Sequence, residues 1–227
     1  MNLTNSRVMW GPRHLYSTKE DNDLDLFELE MPTNLENIQL PSPELLTYYK
    51  LQEERIIWLD DDVEQNCIEI ARNIHLWNIA DKGKPAEERK PIKIFIFSDG
   101  GDMNIAYNLL ATIEQSITPI WTINTGLACS AAALILIAGD KRFCYNRSLA
   151  LIHNGSGMVG GTYDQTEAHM KMYKGMVALM HEFILEHTKI DANTFKRKKS
   201  QEWFLSAKEQ VEYGLVDKIV DSLDEIL

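Results

Sequence analysis

The alternation of apolar and polar positions along the chain predicts strands that are repeatedly followed by helices. Short β-prone runs predict strands over residues 55–59, 92–97 and 119–126, and the segment 143–155 contains two shorter strand-like pieces. The run at 92–97, IKIFIF, is apolar apart from one lysine, which is typical of a strand covered on both faces. Strands that alternate with helices indicate an α/β fold with crossover connections.

The segments between these strands have the apolar spacing of helices. An apolar face with helical spacing runs from Val63 through Cys67 and Ile70 to Trp77. Further helices are predicted over residues 104–115, 125–139 and 164–186. The helix at 125–139, TGLACSAAALILIAG, is almost entirely apolar, so we expect it to be buried.

Two features of the C-terminal half give the clearest helix boundaries and faces. The longest helical pattern, 164–186, carries one apolar side made of Met170, Tyr173, Val177, Met180 and Ile184. Further on, Ser206 and Glu209 have the spacing of a capping box, and Gly214 is placed to end that helix before a last strand. We see no internal repeat in the chain.

The pattern divides the chain into an extension, residues 1–42, and one domain, residues 43–227. The extension is polar, leans acidic, lacks a regular apolar period and holds three of the seven prolines. We therefore expect weak intrinsic order there, although the extension could still dock on a partner. The remaining chain is long enough to bury one sizeable core.

Composition narrows the classes of function. The formal net charge is −11 and the pI is near 5.0, so the basic stripe that tracks nucleic-acid phosphates is absent from the sequence. The one basic run, Lys196 to Lys199, is more simply explained as a solvated loop. We expect no nucleic-acid partner.

Cysteine usage and hydropathy predict a compartment. The three cysteines have no CxxC spacing and do not form a disulfide framework, which favours a reducing, cytoplasmic setting. The longest apolar run, 131–138, is too short to cross a bilayer, and the N-terminus has no apolar core of a signal peptide. We expect no membrane contact, no metal and no cofactor.

Ser130 is the first candidate for chemistry. It follows a predicted strand and glycine turn and lies near the start of an apolar helix, where unpaired N–H groups and the helix dipole could hold an oxyanion. The small neighbours Ala128, Ala131 and Ala132 would let a peptide backbone approach closely. A lone serine in such a run is more often a cap or a packing residue, so this position needs partners.

Two further motifs supply those partners. The sequence SDGGD follows the buried strand at 92–97, and its paired glycines, Gly100 and Gly101, allow φ > 0 and can turn N–H groups toward a ligand. His153 ends an apolar strand and could act as a general base near neutral pH. Taken alone, the glycines fit an ordinary turn and the histidine fits a packed residue, whereas the other five histidines suggest surface or packing positions.

Taken in order, these motifs resemble the proteolytic subunit of the Clp protease, a crotonase-like, ClpP-type serine peptidase. The resemblance covers about residues 47–220 and rests on the following segments: ERIIWLDDDVE, IFIFSDGGD in place of a strand and Ser-Pro-Gly-Gly, GLACSAA for Gly-x-Ala-x-Ser, LIHNG, and FLSAKEQVEYGLVDKIV. It implies an α/β fold of repeated β-β-α units with a head domain and a protruding helical handle. It also implies a ring, heptameric, single or doubled, that hydrolyses peptides or unfolded proteins.

Residue by residue, the resemblance assigns roles to the site. Ser130 becomes the nucleophile and His153 the base, while the backbone N–H groups of Gly100 and Ala131 form the oxyanion hole. An extended substrate would pair as an added strand beside these residues: Gly101, Gly157, Met158, Val159 and Gly160.

The third member of the triad departs from the family pattern. The family has an aspartate two residues before Phe-Leu/Met-Ser-Ala, and counting back from Phe204 gives Glu202. A glutamate keeps the charge that orients an imidazolium, but it adds about 1.3 Å of reach. Glu202 is therefore either the third triad member or a surface carboxylate in a remodelled loop.

Other departures concern the partners and the competing functions. Asp99 replaces a proline, KRKKSQ replaces a segment that makes contacts between rings, and the loop that docks a Clp ATPase is hard to find in residues 1–42. These changes weaken the case for an ATPase partner. Besides the peptidase, two alternatives stay open: a non-catalytic ring subunit (ClpR-like), suggested by Glu202, and a crotonase-class acyl-CoA enzyme.

Overall fold

The structure is a computed structural model that describes residues 42–227. The expected extension, residues 1–42, lies outside this part of the chain except for its last residue. Ser42 caps the first described helix, because its side chain accepts a hydrogen bond from the Leu45 N–H at 3.3 Å.

Fourteen regular elements alternate along the described region, as the apolar pattern predicts. The helices are α1 (Pro43–Glu53), α2 (Ile68–Ala80), α3 (Met103–Glu114), α4 (Ala131–Ile137), α5 (Tyr163–His187), α6 (Ala192–Lys198) and α7 (Ala207–Glu212). The strands are β1 (Ile56–Leu59), β2 (Ile92–Ser98), β3 (Ile120–Cys129), β4 (Lys141–Tyr145), β5 (Leu149–Ile152), β6 (Trp203–Ser206) and β7 (Lys218–Val220).

The seven strands form one mixed sheet in which all pairs but one are parallel. The main path is β1-β2-β3-β4-β7, and β5 and β6 branch from it. The branch arises because β3 changes partner along its length: residues 121–124 pair with β4, whereas residues 127–129 pair with β5. Strand β6 then adds to β5 in the antiparallel sense. The fold is therefore α/β with a largely parallel sheet, as the apolar pattern predicts.

The core lies mainly between the sheet and the helices on one of its faces. Strand β2 is buried almost throughout, α4 is buried at every position, and α2 and α3 each contribute one apolar side. A smaller cluster around Phe95 and Ile123 covers the opposite face of the sheet. The N-terminal half of α5 is largely exposed, and its burial begins at Met180. No helix in the described region has the length and apolarity that crossing a membrane requires.

Two boundaries differ from the sequence prediction. The expected helix over 125–139 begins only after Ser130, because residues 127–129 stay in strand β3 through pairing with β5. Val63 does not begin α2, since it forms an isolated parallel bridge with Gly101. The C-terminal prediction is confirmed: the Ser206 N–H donates to Glu209 at 2.9 Å, and Gly214 has φ 72° after α7.

Candidate active site

Ser130 occupies the single residue between the end of β3 and the start of α4. Its backbone has φ 53° and ψ −120°, a conformation that residues with a side chain rarely adopt and that costs about 1–3 kcal/mol. The conformation is held from both sides: the Ser130 N–H donates to the Leu151 carbonyl at 2.9 Å, and the Ser130 carbonyl accepts from the Ala133 N–H at 3.0 Å. The abrupt change from strand to helix leaves the serine hydroxyl at the edge of the sheet.

Two further side chains complete a hydrogen-bonded chain with this hydroxyl. His153, which directly follows β5, has its Nε2 2.8 Å from Ser130 Oγ and its Nδ1 2.9 Å from Glu202 Oε1. Glu202 directly precedes β6, which pairs with β5 so that Ile152 lies opposite Trp203. The neighbours of these paired residues, His153 and Glu202, are thereby brought side by side. The structure thus brings together the three residues that the sequence singled out.

Burial decreases along this chain of groups. The His153 side chain is 20% exposed, whereas the Glu202 side chain is 62% exposed. The Glu202 carboxylate is therefore well solvated, and its contact with the ring is weaker than that of a buried carboxylate. Its one described hydrogen bond, to His153 Nδ1, favours the tautomer in which Nδ1 carries the proton and Nε2 is free to accept one.

Cys129 lies next to Ser130 and is buried at the end of β3. Burial, followed by the repulsion of a thiolate by the carboxylates of Asp99 and Glu202, raises the pKa of its thiol to about 11. Cys129 therefore stays protonated near neutral pH and does not compete with Ser130 as a nucleophile.

The backbone around Gly100 and Gly101 approaches Ser130 closely. A side chain at Gly100 would meet the Cys129 carbonyl at 2.6 Å and Ser130 Cβ at 2.8 Å, so only glycine fits there. The Gly100 N–H, expected from the sequence to face an oxyanion, donates instead to Ser98 Oγ at 3.1 Å.

Gly101 has its N–H turned in a different direction. Val63 forms hydrogen bonds with the two residues on either side of Gly101. The Val63 N–H donates to the Gly100 carbonyl, and the Asp102 N–H donates to the Val63 carbonyl, both at 2.7 Å. In a parallel ladder this pattern leaves the N–H of the middle residue pointing away from the partner strand. Gly101 also lines the cleft that contains Ser130. The other expected donor, Ala131, is the first residue of α4, where N–H groups have no partner within the helix.

A cleft of about 240 Å³ opens at this site. Its lining combines Ser130 and His153 with apolar side chains from α5 and neighbouring elements: Met103, Leu151, Tyr173, Met176, Val177 and Met180. A larger cleft of about 300 Å³, between α1, β1 and α2, contains none of the three hydrogen-bonded residues. We place the candidate active site in the smaller cleft because the reactive groups lie there.

The segment expected to border the substrate, Gly157 to Gly160, follows the site along the chain. It is not part of a strand, and Met158 is fully exposed. Gly157 lies against the Tyr173 ring, which an added side chain would meet at 3.3 Å. Pairing of this segment with a substrate stays a prediction.

Sequence reasoning missed two supports of the site. His181, interpreted as a surface or packing residue, has its Nε2 2.8 Å from Asn154 Oδ1, and Tyr173 donates to the Asn154 carbonyl at 3.4 Å. Both hold the residue that follows His153. The apolar side of α5 was visible in the sequence and contains Tyr173, but nothing in its spacing indicated that this side faces a cleft rather than the core.

A serine, a histidine and a carboxylate that are hydrogen-bonded in series are typical of serine hydrolases. Comparison of the chain with known proteins identifies its family. The chain belongs to the Clp protease family, whose model matches residues 44–223. A curated relative, the ATP-dependent Clp protease proteolytic subunit 2 of Treponema denticola, is 35% identical over 139 residues, which cover 60% of this chain and 70% of the relative.

Proposed function

We propose that this chain is the catalytic subunit of a Clp-type serine endopeptidase, with Ser130 as nucleophile, His153 as general base and Glu202 as the third member of the triad. The observation that carries the proposal is the continuous chain of contacts from Ser130 Oγ through the imidazole to the Glu202 carboxylate, at 2.8 and 2.9 Å. This is the arrangement of groups by which such triads are recognised on unrelated folds.

In the proposed reaction, His153 Nε2 accepts the proton of the Ser130 hydroxyl as Oγ attacks a peptide carbonyl carbon. The Nδ1–H donates to the Glu202 carboxylate throughout, and the negative charge of this carboxylate stabilises the imidazolium that forms. When the tetrahedral intermediate collapses, the C–N bond breaks and Nε2–H gives its proton to the leaving amine. Water, deprotonated by His153, then attacks the acyl ester and releases Ser130.

The oxyanion of this intermediate needs two N–H donors. We propose that they belong to Ala131 and Gly101, because the Gly100 N–H is already bonded to Ser98 and the Gly101 N–H points away from Val63. Gly100, which has no side chain, then lets the turn after β2 approach the end of β3. Removing one such donor from a peptidase typically costs about a hundredfold or more in kcat.

The proposal includes assembly and substrates. A ring of seven copies, single or doubled, would enclose the sites and limit hydrolysis to peptides and unfolded proteins, with Gly157 to Gly160 pairing with the extended substrate. The relative from Treponema denticola is named as ATP-dependent. An ATPase is a weaker part of the proposal for this chain, because the loop that docks one is hard to find in the sequence of residues 1–42.

The two alternative functions have less support. A non-catalytic subunit was suggested by Glu202 and by the unusual extension, and the 2.9 Å contact between Glu202 and His153 weakens the first of these two reasons. A crotonase-class acyl-CoA enzyme needs an oxyanion hole but not the pairing of Ser130 with His153. A cytoplasmic location remains part of the proposal.

Peptide hydrolysis by the full chain tests the proposal. We expect Ser130→Ala and His153→Ala each to lower kcat by at least about a thousandfold, as in other triads. As a matched control, Ser200→Ala removes an exposed serine that does not line the cleft and should keep its activity within about twofold. Activity near that of the unmodified chain in either triad variant would overturn the assignment.

A further inference from the structure

The active-site cleft carries a single fixed charge. Among its lining residues Asp99 is the one acidic side chain, and none is a lysine or an arginine. The remaining lining groups are apolar, small or neutral and polar, apart from the titratable ring of His153. A substrate that enters this cleft therefore meets one carboxylate in the lining, while the Glu202 carboxylate lies at the Nδ1 side of the His153 ring.

The Asp99 carboxylate has no structural use in the fold. It is exposed, and within residues 42–227 it makes no hydrogen bond and no ion pair. It follows the last residue of β2, Ser98, and precedes the glycine that touches Cys129 and Ser130. The other carboxylate of the site, Glu202, is bonded to His153. Asp99 is thus the carboxylate of the cleft lining that has no partner within residues 42–227.

We propose that Asp99 is a specificity-determining residue that favours substrates with a lysine or arginine side chain next to the scissile bond. This inference rests on the proposed peptidase function. A bound peptide displaces water from the cleft, which strengthens the attraction between the carboxylate and a cation. The same carboxylate disfavours an acidic side chain at that position, so discrimination arises from both attraction and repulsion.

A second effect of the charge can be separated from this one. A carboxylate near His153 could stabilise the imidazolium and change the rate for every substrate. That effect cancels in the ratio of kcat/KM values for two peptides that differ only in charge. The ratio therefore reports on contact with the substrate, while the rate on the neutral peptide reports on the histidine.

The test uses acetylated, amidated peptides in which one of four positions, two on each side of the scissile bond, is varied. That position carries either lysine or its uncharged analogue norleucine. At the position nearest Asp99 we expect the lysine-to-norleucine ratio of kcat/KM to fall about threefold to fivefold in Asp99→Asn, the range of a partly exposed ion pair. The ratio should recover in Asp99→Glu, and 0.5 M salt should reduce it in the unmodified chain.

Glu87→Gln is the matched control, because it removes the same charge from an exposed turn before β2, at the opposite end of that strand from Asp99. Its ratio should equal that of the unmodified chain. An equal ratio in Asp99→Asn and the unmodified chain at all four positions would overturn the proposal.

Binding separates this inference from the proposed function. In a Ser130→Ala background, fluorescence anisotropy measures the affinity of labelled forms of the same peptides without turnover. Tighter binding of the lysine peptide, lost with Asp99→Asn, supports the inference even if the unmodified chain hydrolyses nothing. Equal affinity for both peptides, or binding of neither, contradicts it.

Discussion

Glu202 shows how a longer side chain can reach the same contact as the family's aspartate. The position is fixed by the antiparallel pairing of β5 with β6, which sets the residues just outside the two strands beside each other. The carboxylate then contacts His153 Nδ1 at 2.9 Å while remaining 62% exposed. Solvent exposure weakens the contact, so its main contribution should be to the ring's tautomer and orientation.

Substitution at Glu202 tests that role. Glu202→Gln keeps the size but its amide can present an N–H to Nδ1 and favour the wrong tautomer, so we expect kcat to fall by about a hundredfold or more. Because the side chain is exposed, the free energy of unfolding should change by less than about 0.5 kcal/mol. Steady-state kinetics and urea unfolding of the same preparation provide both values.

Glu202→Asp is the matched variant, since it keeps the charge and shortens the side chain. It should retain more activity than Glu202→Gln. An unchanged kcat in Glu202→Gln would mean that the ring of His153 is oriented by another group.

At the level of elements, local pattern predicted the existence of the strands and helices but not the boundary at Ser130. The run from Ala131 onward is helical as expected, whereas Leu127 to Cys129 belong to β3. What keeps them extended is pairing with residues 149–151, a contact distant in sequence that no local propensity reports. The Ser130 N–H is also bonded to β5, so the sequence could single out Ser130 as the candidate nucleophile but not the strained geometry of its backbone.

A buried ion pair joins three elements near the start of the sheet. Arg55, at the entry to β1, contacts Asp81 after α2 through two hydrogen bonds of 2.5 and 2.9 Å, and Thr118, before β3, donates to the same carboxylate at 2.9 Å. The Asp81 side chain is fully buried. Nothing in the sequence indicated this arrangement, because its three residues lie in three separate connections between elements.

Removing the charge of Asp81 should destabilise the fold. Arg55, followed by Lys84 and Thr118, holds the pKa of the Asp81 carboxyl well below its usual range. Asp81→Asn leaves Arg55 nearly buried without its partner, so we expect a loss of about 3–5 kcal/mol in the free energy of unfolding at pH 7. Urea unfolding measures it. Glu69→Gln, which breaks the exposed pair with Arg72, should cost less than about 1 kcal/mol.

The destabilisation should depend on pH in one direction. A carboxyl whose pKa is lowered by folding stabilises the protein fully above its unfolded pKa of about 3.9, and this contribution is lost as the pH falls toward the folded value. The difference between the unmodified chain and Asp81→Asn should therefore shrink below about pH 4. A difference independent of pH, or below about 1 kcal/mol at pH 7, would show that the pair contributes little.

At the scale of the whole molecule, the described domain joins a family fold to a site whose parts come from four separate places in the sheet. The turn after β2 contributes the glycines, the junction of β3 and α4 the serine, the end of β5 the histidine and the entry to β6 the glutamate. Family resemblance could place these residues in sequence. Their meeting depends on the parallel order β2-β3-β5 and the antiparallel addition of β6, which only the structure shows.

Assembly into a ring would involve several copies of this chain. The family implies a ring, and the 26.1 kDa chain would give a particle of seven copies or twice seven. The largely exposed first half of α5 is free to contribute to contacts between copies. Activity should therefore be compared only between samples of the same assembled mass.

Activation of Ser130 for attack should be detectable as covalent labelling by a probe that reacts with activated serines. The assembled protein is treated with a fluorophosphonate probe and analysed by intact-protein and native mass spectrometry. Activation of Ser130 predicts close to one label per chain, none in Ser130→Ala, and the same native mass for both proteins. A properly assembled ring that takes no label, or a label that persists in Ser130→Ala, would contradict it.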